Sequence, residues 1–269
     1  MKHTTTLLLI ALWVWAPLLQ LKAAPWWALT GNTIEDILTP DPSSSSPGIT
    51  GLLAWWAFDD STYLTLDSSA NGRSLSPSGT PQRATGKKGQ SLLIDNTNDW
   101  YFRTDESWMT PTTGLTICTW VRPTDSTTLY STGLVSHSGD LSAERSWDLA
   151  ITGTGLLRFR VTSDGTTFAT ATGTEVVPSL AWSFIVATWE PSNNISVYYN
   201  GVLQATSNTG IPTNLRNSTT NLRVGSYNDE GTNSTLGQHD EVVLYSRVLT
   251  IPEILYIYNN GNGRAFSEL

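Results

Sequence analysis

A single cysteine, Cys118, stands in 269 residues, so no intrachain disulfide can form. Stability must come from an apolar core or from a core together with a bound metal, since disulfide cross-links are excluded. Histidine is nearly as scarce: three in all, one of them at position 3. No His-Glu-x-x-His and no Gly-x-Ser-x-Gly sequence occurs, so a histidine-built zinc site and a serine-hydrolase elbow are both excluded. Positive charge is short as well, with 15 Lys and Arg against 23 Asp and Glu, a net charge of -8. That balance argues against a polyanion such as nucleic acid as partner. No internal repeat is present, which excludes propellers and solenoids. Helical periodicity is confined to one stretch near the C-terminus.

What the chain has instead is tryptophan, 12 of them, among abundant Ser, Thr, Gly and Asn. Short alternating apolar stretches recur between turn signals, the mark of an all-β sandwich. Thirteen strands are predicted, over 52–58, 91–94, 100–103, 115–122, 134–137, 147–152, 156–163, 167–171, 182–189, 195–199, 202–205, 222–226 and 241–245. Alternation assigns their faces: Leu115, Ile117 and Val121 oppose Cys118 and Trp120, while Leu157, Phe159 and Val161 oppose Arg158 and Arg160, which should see solvent. Asp164-Gly165 and Asn200-Gly201 predict two tight hairpins, because such pairs accept consecutive positive φ angles. The fold class expected is a jelly-roll β-sandwich of two antiparallel sheets with a short C-terminal helix.

The N-terminal 23 residues carry a basic start, an apolar run over 7–21 and small residues after it, the layout of a signal peptide cleaved after Ala23. An uncleaved membrane anchor is the alternative, since apolar character continues through Trp26, Trp27 and Leu29. Removal would take two lysines, Lys2 and Lys22, and move the net charge from -8 to -10. Residues 24–48 read as a stalk ending in the Pro/Ser linker TPDPSSSSPG, and 49–269 as the folded domain.

The chain is organised around LGQHDEVVLYSRVLTIPE, residues 236–253. Alternation puts Asp240, Val242 and Leu244 on one face and Glu241, Val243 and Tyr245 on the other, a strand buried on both sides. Thr250 and Glu253 then form a capping box. Ile251, Ile254, Leu255 and Tyr258 give the helix one apolar stripe, and Gly261 is expected to end it in a left-handed conformation.

Earlier in the chain Asp67, Ser69 and Asn71 lie two apart in a turn. Such spacing lets oxygens converge on a hard cation such as Ca2+, or it makes a hydrogen-bonded Asx turn. Trp100, Tyr101, Trp108 and Tyr227, with Asn228, Asp229 and Glu230 beside them, offer rings and polar groups for a sugar ligand. Trp56, Trp120 and Trp189 lie inside strands and belong to the core.

Seven stretches in fixed order resemble the laminin G-like group of the concanavalin A-like lectin/glucanase superfamily. They are GLLAWWAFDD, DSSANGRSL with Ala70 where glycine is usual, GKKGQSLLID, LTICTWVRP, WSFIVATWEPSNNISVYYNGVLQ, LRVGS and LGQHDEVVLYSRVLTIPEI. The resemblance implies a concanavalin A-like fold and a structural calcium in which Asp240 joins Asp67, Ser69 and Asn71. A glucanase of this superfamily would carry Glu-x-Asp-x-Glu or Glu-x-Asp-x-x-Glu on one strand. No glutamate of this chain lies in either pattern, and Asp240 and Glu241, as strand neighbours, are expected on opposite faces. The function expected is therefore a non-catalytic module, secreted or at a cell surface, binding carbohydrate or a surface protein. A structural or decorating part of a virion or surface layer is the second reading, and a glycoside hydrolase the third. A membrane enters only if the N-terminal segment stays attached.

Overall fold

A computed structural model describes residues 45–128, 131–227 and 233–269. All of them belong to one unit, 40–269. The signal-peptide and anchor expectations, with most of the linker, lie outside the described residues. Among those described, no helix is long and apolar enough to cross a membrane.

Among the described residues fifteen strands form two antiparallel sheets. The eight-stranded sheet runs β13(202–207), β12(194–199), β11(183–190), β6(115–123), β15(237–245), β4(90–94) and β3(82–85), with β1(52–56) also paired to β15. The seven-stranded sheet runs β10(169–176), β9(156–161), β8(147–151), β7(132–137), β14(222–224), β5(100–103) and β2(76–78). All thirteen predicted strands are present. The two that alternation missed, β2 and β3, are the short edge strands SPS and QRAT, whose residues are mostly exposed and carry no apolar period.

β15 holds the larger sheet together. Along one edge it pairs with β6, while β1 takes residues 242–245 and β4 takes 237–239. The predicted faces hold for the apolar residues of these strands. Leu115, Ile117, Val121, Leu157, Phe159, Val161, Val242 and Leu244 fill the space between the sheets, with Trp56 and Trp189 fully buried among them. Cys118, Trp120, Phe184, Val243 and Tyr245 face outward from the larger sheet into a second core, closed by α1(251–258).

Helix α1 starts where the capping box places it, with one difference in detail. The Glu253 carboxylate reaches back to the Thr250 backbone N–H (2.7 Å), and the Thr250 hydroxyl donates to the same oxygen (2.9 Å). The apolar stripe is shifted: Ile254 and Ile257 are buried, whereas Ile251 is 52% exposed. Asn259, at φ 49°, supplies the left-handed cap, two residues before Gly261. Of the two hairpins, Asn200-Gly201 has both φ positive (49° and 78°) between β12 and β13. Asp164-Gly165 does not make a two-residue turn. β9 ends at Val161 and β10 starts at Ala169, and Asp164 Oδ1 instead accepts the N–H groups of Thr166 and Thr167, both at 2.7 Å.

Candidate functional site

The sequence around Asp60 builds a cleft at one end of the sandwich. Asp60 follows β1, and its Oδ1 accepts the backbone N–H groups of Thr62 (2.8 Å) and Tyr63 (2.6 Å), which holds the carboxyl below its ordinary pKa. This Asx turn presents Tyr63 outward. The residue is 67% exposed. Pro77 of β2, Pro81, and Gln82 and Arg83 of β3 form the facing wall, and Tyr101 of β5 lies at the floor, around about 600 Å³. Arg83 is tied to the Asp60 carbonyl oxygen through Nη2. One exposed ring, a guanidinium and an amide thus share a single concavity, a combination suited to stacking and hydrogen bonding of a polar ring.

The predicted ligand-binding residues are only partly brought together. Tyr101 lines the cleft, but its ring is core, stacked on Phe58 at 6.3 Å, and burial raises its hydroxyl pKa. Trp100 is buried in the edge pair of β5 with β2. Trp108 packs against the core beneath Arg73, whose guanidinium lies 4.4 Å from its ring, and its Nε1 donates to Glu106 (3.1 Å). Neither tryptophan joins Tyr63. Tyr227 belongs to a different surface, the outer face of the seven-stranded sheet, where its hydroxyl accepts from Arg160. Asn228, Asp229 and Glu230 lie outside the described residues. Tyr63 and Arg83 escaped the sequence reading because neither sits in a strand-like or motif-bearing stretch; the Asp-x-x-Tyr turn was the available signal.

Of the four residues proposed for calcium, Asp67, Ser69 and Asn71 share one turn and are hydrogen-bonded within the protein. Asp67 Oδ1 accepts from Trp55 N (3.1 Å), Ser69 N (2.9 Å) and Ser69 Oγ (2.6 Å), and Oδ2 accepts from Arg73 N (2.9 Å). Asn71 turns its amide nitrogen to the carbonyls of Leu52 (3.1 Å) and Leu53 (2.9 Å). Both side chains are spent on fastening the 67–73 turn to β1, which is the Asx-turn alternative. Asp240 has other partners: the backbone N–H groups of Lys88 (2.9 Å) and Glu241 (2.8 Å). Among the described residues no group of three or more His, Cys, Asp and Glu side chains is placed to hold a metal. Asp67 and Asp240 thus accept from separate sets of donors.

Asp240 and Glu241 are not on opposite faces. The β15–β6 register pairs Asp240 with Trp120 and Val243 with Cys118, so three steps on β15 match two on β6. Glu241 is the extra residue of this bulge, at φ 47°. Its Oε2 accepts from the indole N–H of Trp55, an outward residue like Trp120, so both carboxylates lie on the outer side of the larger sheet. Each is at most 1% exposed. Burial raises Asp240 to about 8, and it raises Glu241 well above the usual range with help from Asp240. Proximity alone would permit acid–base chemistry, but residues sealed from solvent cannot meet a polymer substrate.

A laminin G family model, described as the concanavalin A-like lectin/glucanases superfamily, matches residues 95–255. The chain belongs to this superfamily. Three of the seven motifs, GLLAWWAFDD, DSSANGRSL and nearly all of GKKGQSLLID, precede the matched span, yet β1 and the Asp67 turn join the sandwich as the other superfamily strands do. Among proteins of the superfamily fold, the binding domain of Paraclostridial Mosquitocidal Protein 1 superposes with a TM-score of 0.64 at 16% identity, covering 78% of this chain and 52% of that one. Domain 4 of AbnA, a GH43 extracellular arabinanase from Geobacillus stearothermophilus, in complex with arabinotriose, superposes with a TM-score of 0.60 at 18% identity, over 79% of this chain and 98% of that one. The human adhesion G-protein coupled receptor D1 is 28% identical over 88 residues, 32% of this chain and 10% of the receptor. The chain thus spans about half of the toxin binding domain and a tenth of the receptor.

Proposed function

We propose that this chain is a non-catalytic carbohydrate-binding module, secreted or held at a surface, that takes a neutral oligosaccharide in the cleft at Tyr63. The exposed Tyr63 ring at the mouth of a 600 Å³ concavity, with Arg83 and Gln82 on the facing wall, carries this reading. A stacking ring supplies apolar contact with a sugar face, and the guanidinium and amide match paired hydroxyls. The likeness to a toxin binding domain and to an arabinanase domain holding arabinotriose supports it, as does the apolar N-terminal run for export. A neutral glycan array read with wild type, Tyr63→Ala and Arg83→Ala tests it. Wild type should retain defined glycans, and either substitution should weaken binding about tenfold, the loss expected of one stacking or charge-assisted contact. Both variants should melt like wild type. Wild-type silence on the array, or undiminished binding by both variants, would overturn the assignment.

A further inference from the structure

The outer face of the seven-stranded sheet carries a second polar surface, unconnected with the Tyr63 cleft. Antiparallel register places Ser136, Asp148, Arg160 and Thr170 in one row across β7, β8, β9 and β10, and Ala150, Arg158 and Thr172 in the next. Asp148 is fully buried beneath both arginines, accepting from Arg158 Nη2 at 3.2 Å and from Arg160 Nε at 3.0 Å. Among the described residues one carboxylate lies under two guanidiniums, which leaves one positive charge in excess there, in a chain whose net charge is -8.

The surroundings hold both guanidiniums in place, each partly exposed. Arg160 lies between two aromatic rings, Phe168 at 4.5 Å and Tyr227 at 5.7 Å from its guanidinium carbon, which fixes the fork in one orientation. Arg158 donates through Nη1 to Ser131 Oγ (3.0 Å), while its Nε, although buried, has no hydrogen-bond partner. Thr170 and Thr172 stand exposed on the neighbouring strand, next to Arg160 and Arg158 respectively. Hydroxyls on a flat strand surface, a partly exposed phenyl ring and an oriented fork carrying excess charge are complementary to a sugar ring that bears an oxyanion. An acidic peptide would need a run of cations to match its repeated charge, and the described residues of this surface have one in excess.

We propose that this face, centred on Arg158, Arg160 and Phe168, binds an acidic glycan through a carboxylate or sulfate group. The site is separate from the Tyr63 cleft and does not depend on its assignment. Titration of the full chain with oligogalacturonate, its methyl ester and a sulfated galactan fragment tests it by calorimetry. Oligogalacturonate or the sulfated fragment should bind, the tighter of the two naming the oxyanion, and added salt should weaken binding. Methyl esterification should weaken the uronate at least about tenfold if the carboxylate is what the fork holds. Arg160 also covers the buried Asp148, so its removal confounds binding with folding. Thr170→Glu avoids this by placing a carboxylate beside Arg160 from an exposed position. It should cut acidic-glycan binding by about tenfold without moving the melting temperature. Failure of both acidic glycans to bind, equal binding of uronate and ester with no sulfate binding, or undiminished binding by Thr170→Glu, would overturn the proposal. So would equally tight binding of a polyglutamate peptide. Loss of neutral-glycan binding alone would strike the Tyr63 cleft and not this face.

Discussion

Trp55 and Glu241, 186 residues apart in sequence, are joined by a hydrogen bond from the indole N–H to a carboxylate oxygen, beneath the outer core of the larger sheet. The other oxygen of Glu241 has no partner, and Asp240 lies beside it on the same side of the bulge. A buried carboxyl with half its capacity unmet is cheapest when protonated.

The pH dependence of stability follows with a definite sign. An acid whose folded pKa is raised gives stability that is complete below its unfolded value and is lost as pH rises through the folded one. For Asp240 that window runs from 3.8 to about 8, and Glu241 acts in the same direction. His239 is buried with its pKa lowered from 6.5 to about 4, so its contribution is complete above 6.5 and is lost as pH falls toward 4. Thermal melts should therefore show Glu241→Gln raising the melting temperature more at pH 8 than at pH 5. An equal shift at both would mean that Glu241 is not held protonated.

Ala70 occupies a left-handed position, φ 65°, in the Asp67 turn. That conformation crowds its Cβ by about 1–2 kcal/mol, which glycine escapes at some cost in unfolded-state entropy. Ala70→Gly should stabilise the domain by about 0.5–1 kcal/mol in urea unfolding. A neutral or destabilising result would mean the turn relaxes around Ala70.

The Asp67 network makes its own prediction. Four donors converge on one nearly buried carboxylate, so Asp67→Ala should cost about 2–4 kcal/mol, several donors losing their acceptor at once. Chelator should leave the melting temperature of both proteins unmoved. A chelator-dependent fall in the wild type alone would show that a cation, and not these donors, holds the turn.

Much of this architecture was legible in the sequence, and the failures share a cause. Strands with an apolar period, such as LTICTWVRP and LLRFRV, announced both position and face, because burial imposes the period. The edge strands SPS and QRAT announced neither, since edges bury little. Alternation also misled at Asp240-Glu241: it assumes one residue per step, and a bulge is invisible until the partner strand is counted beside it. At the site level Asp67 and Asn71 were found but two chemistries stayed open for them, because an Asx turn and a cation loop use the same spacing. Tyr101 was found for its ring, though the ring is core. Tyr63 and Arg83 were missed because the cleft is walled by a loop and by edge strands that carry no apolar period, and the Arg158–Arg160 alternation said only which way those side chains point.

The seating of β1 against β15 also governs the order of events during synthesis. Leu52 pairs with Tyr245 and Trp56 with Val242, so the strand LLAWW emerges from the ribosome long before the strand that will receive it. Until then its apolar side chains have no sheet to enter, and β6 and β4 lack the partner that joins them. Closure of the larger sheet is thus deferred to the end of translation, and non-local pairing of this kind folds slowly. A ribosome-stalled chain ending before residue 237 should hold β11–β13 hairpins and an unpaired, protease-sensitive N-terminal strand.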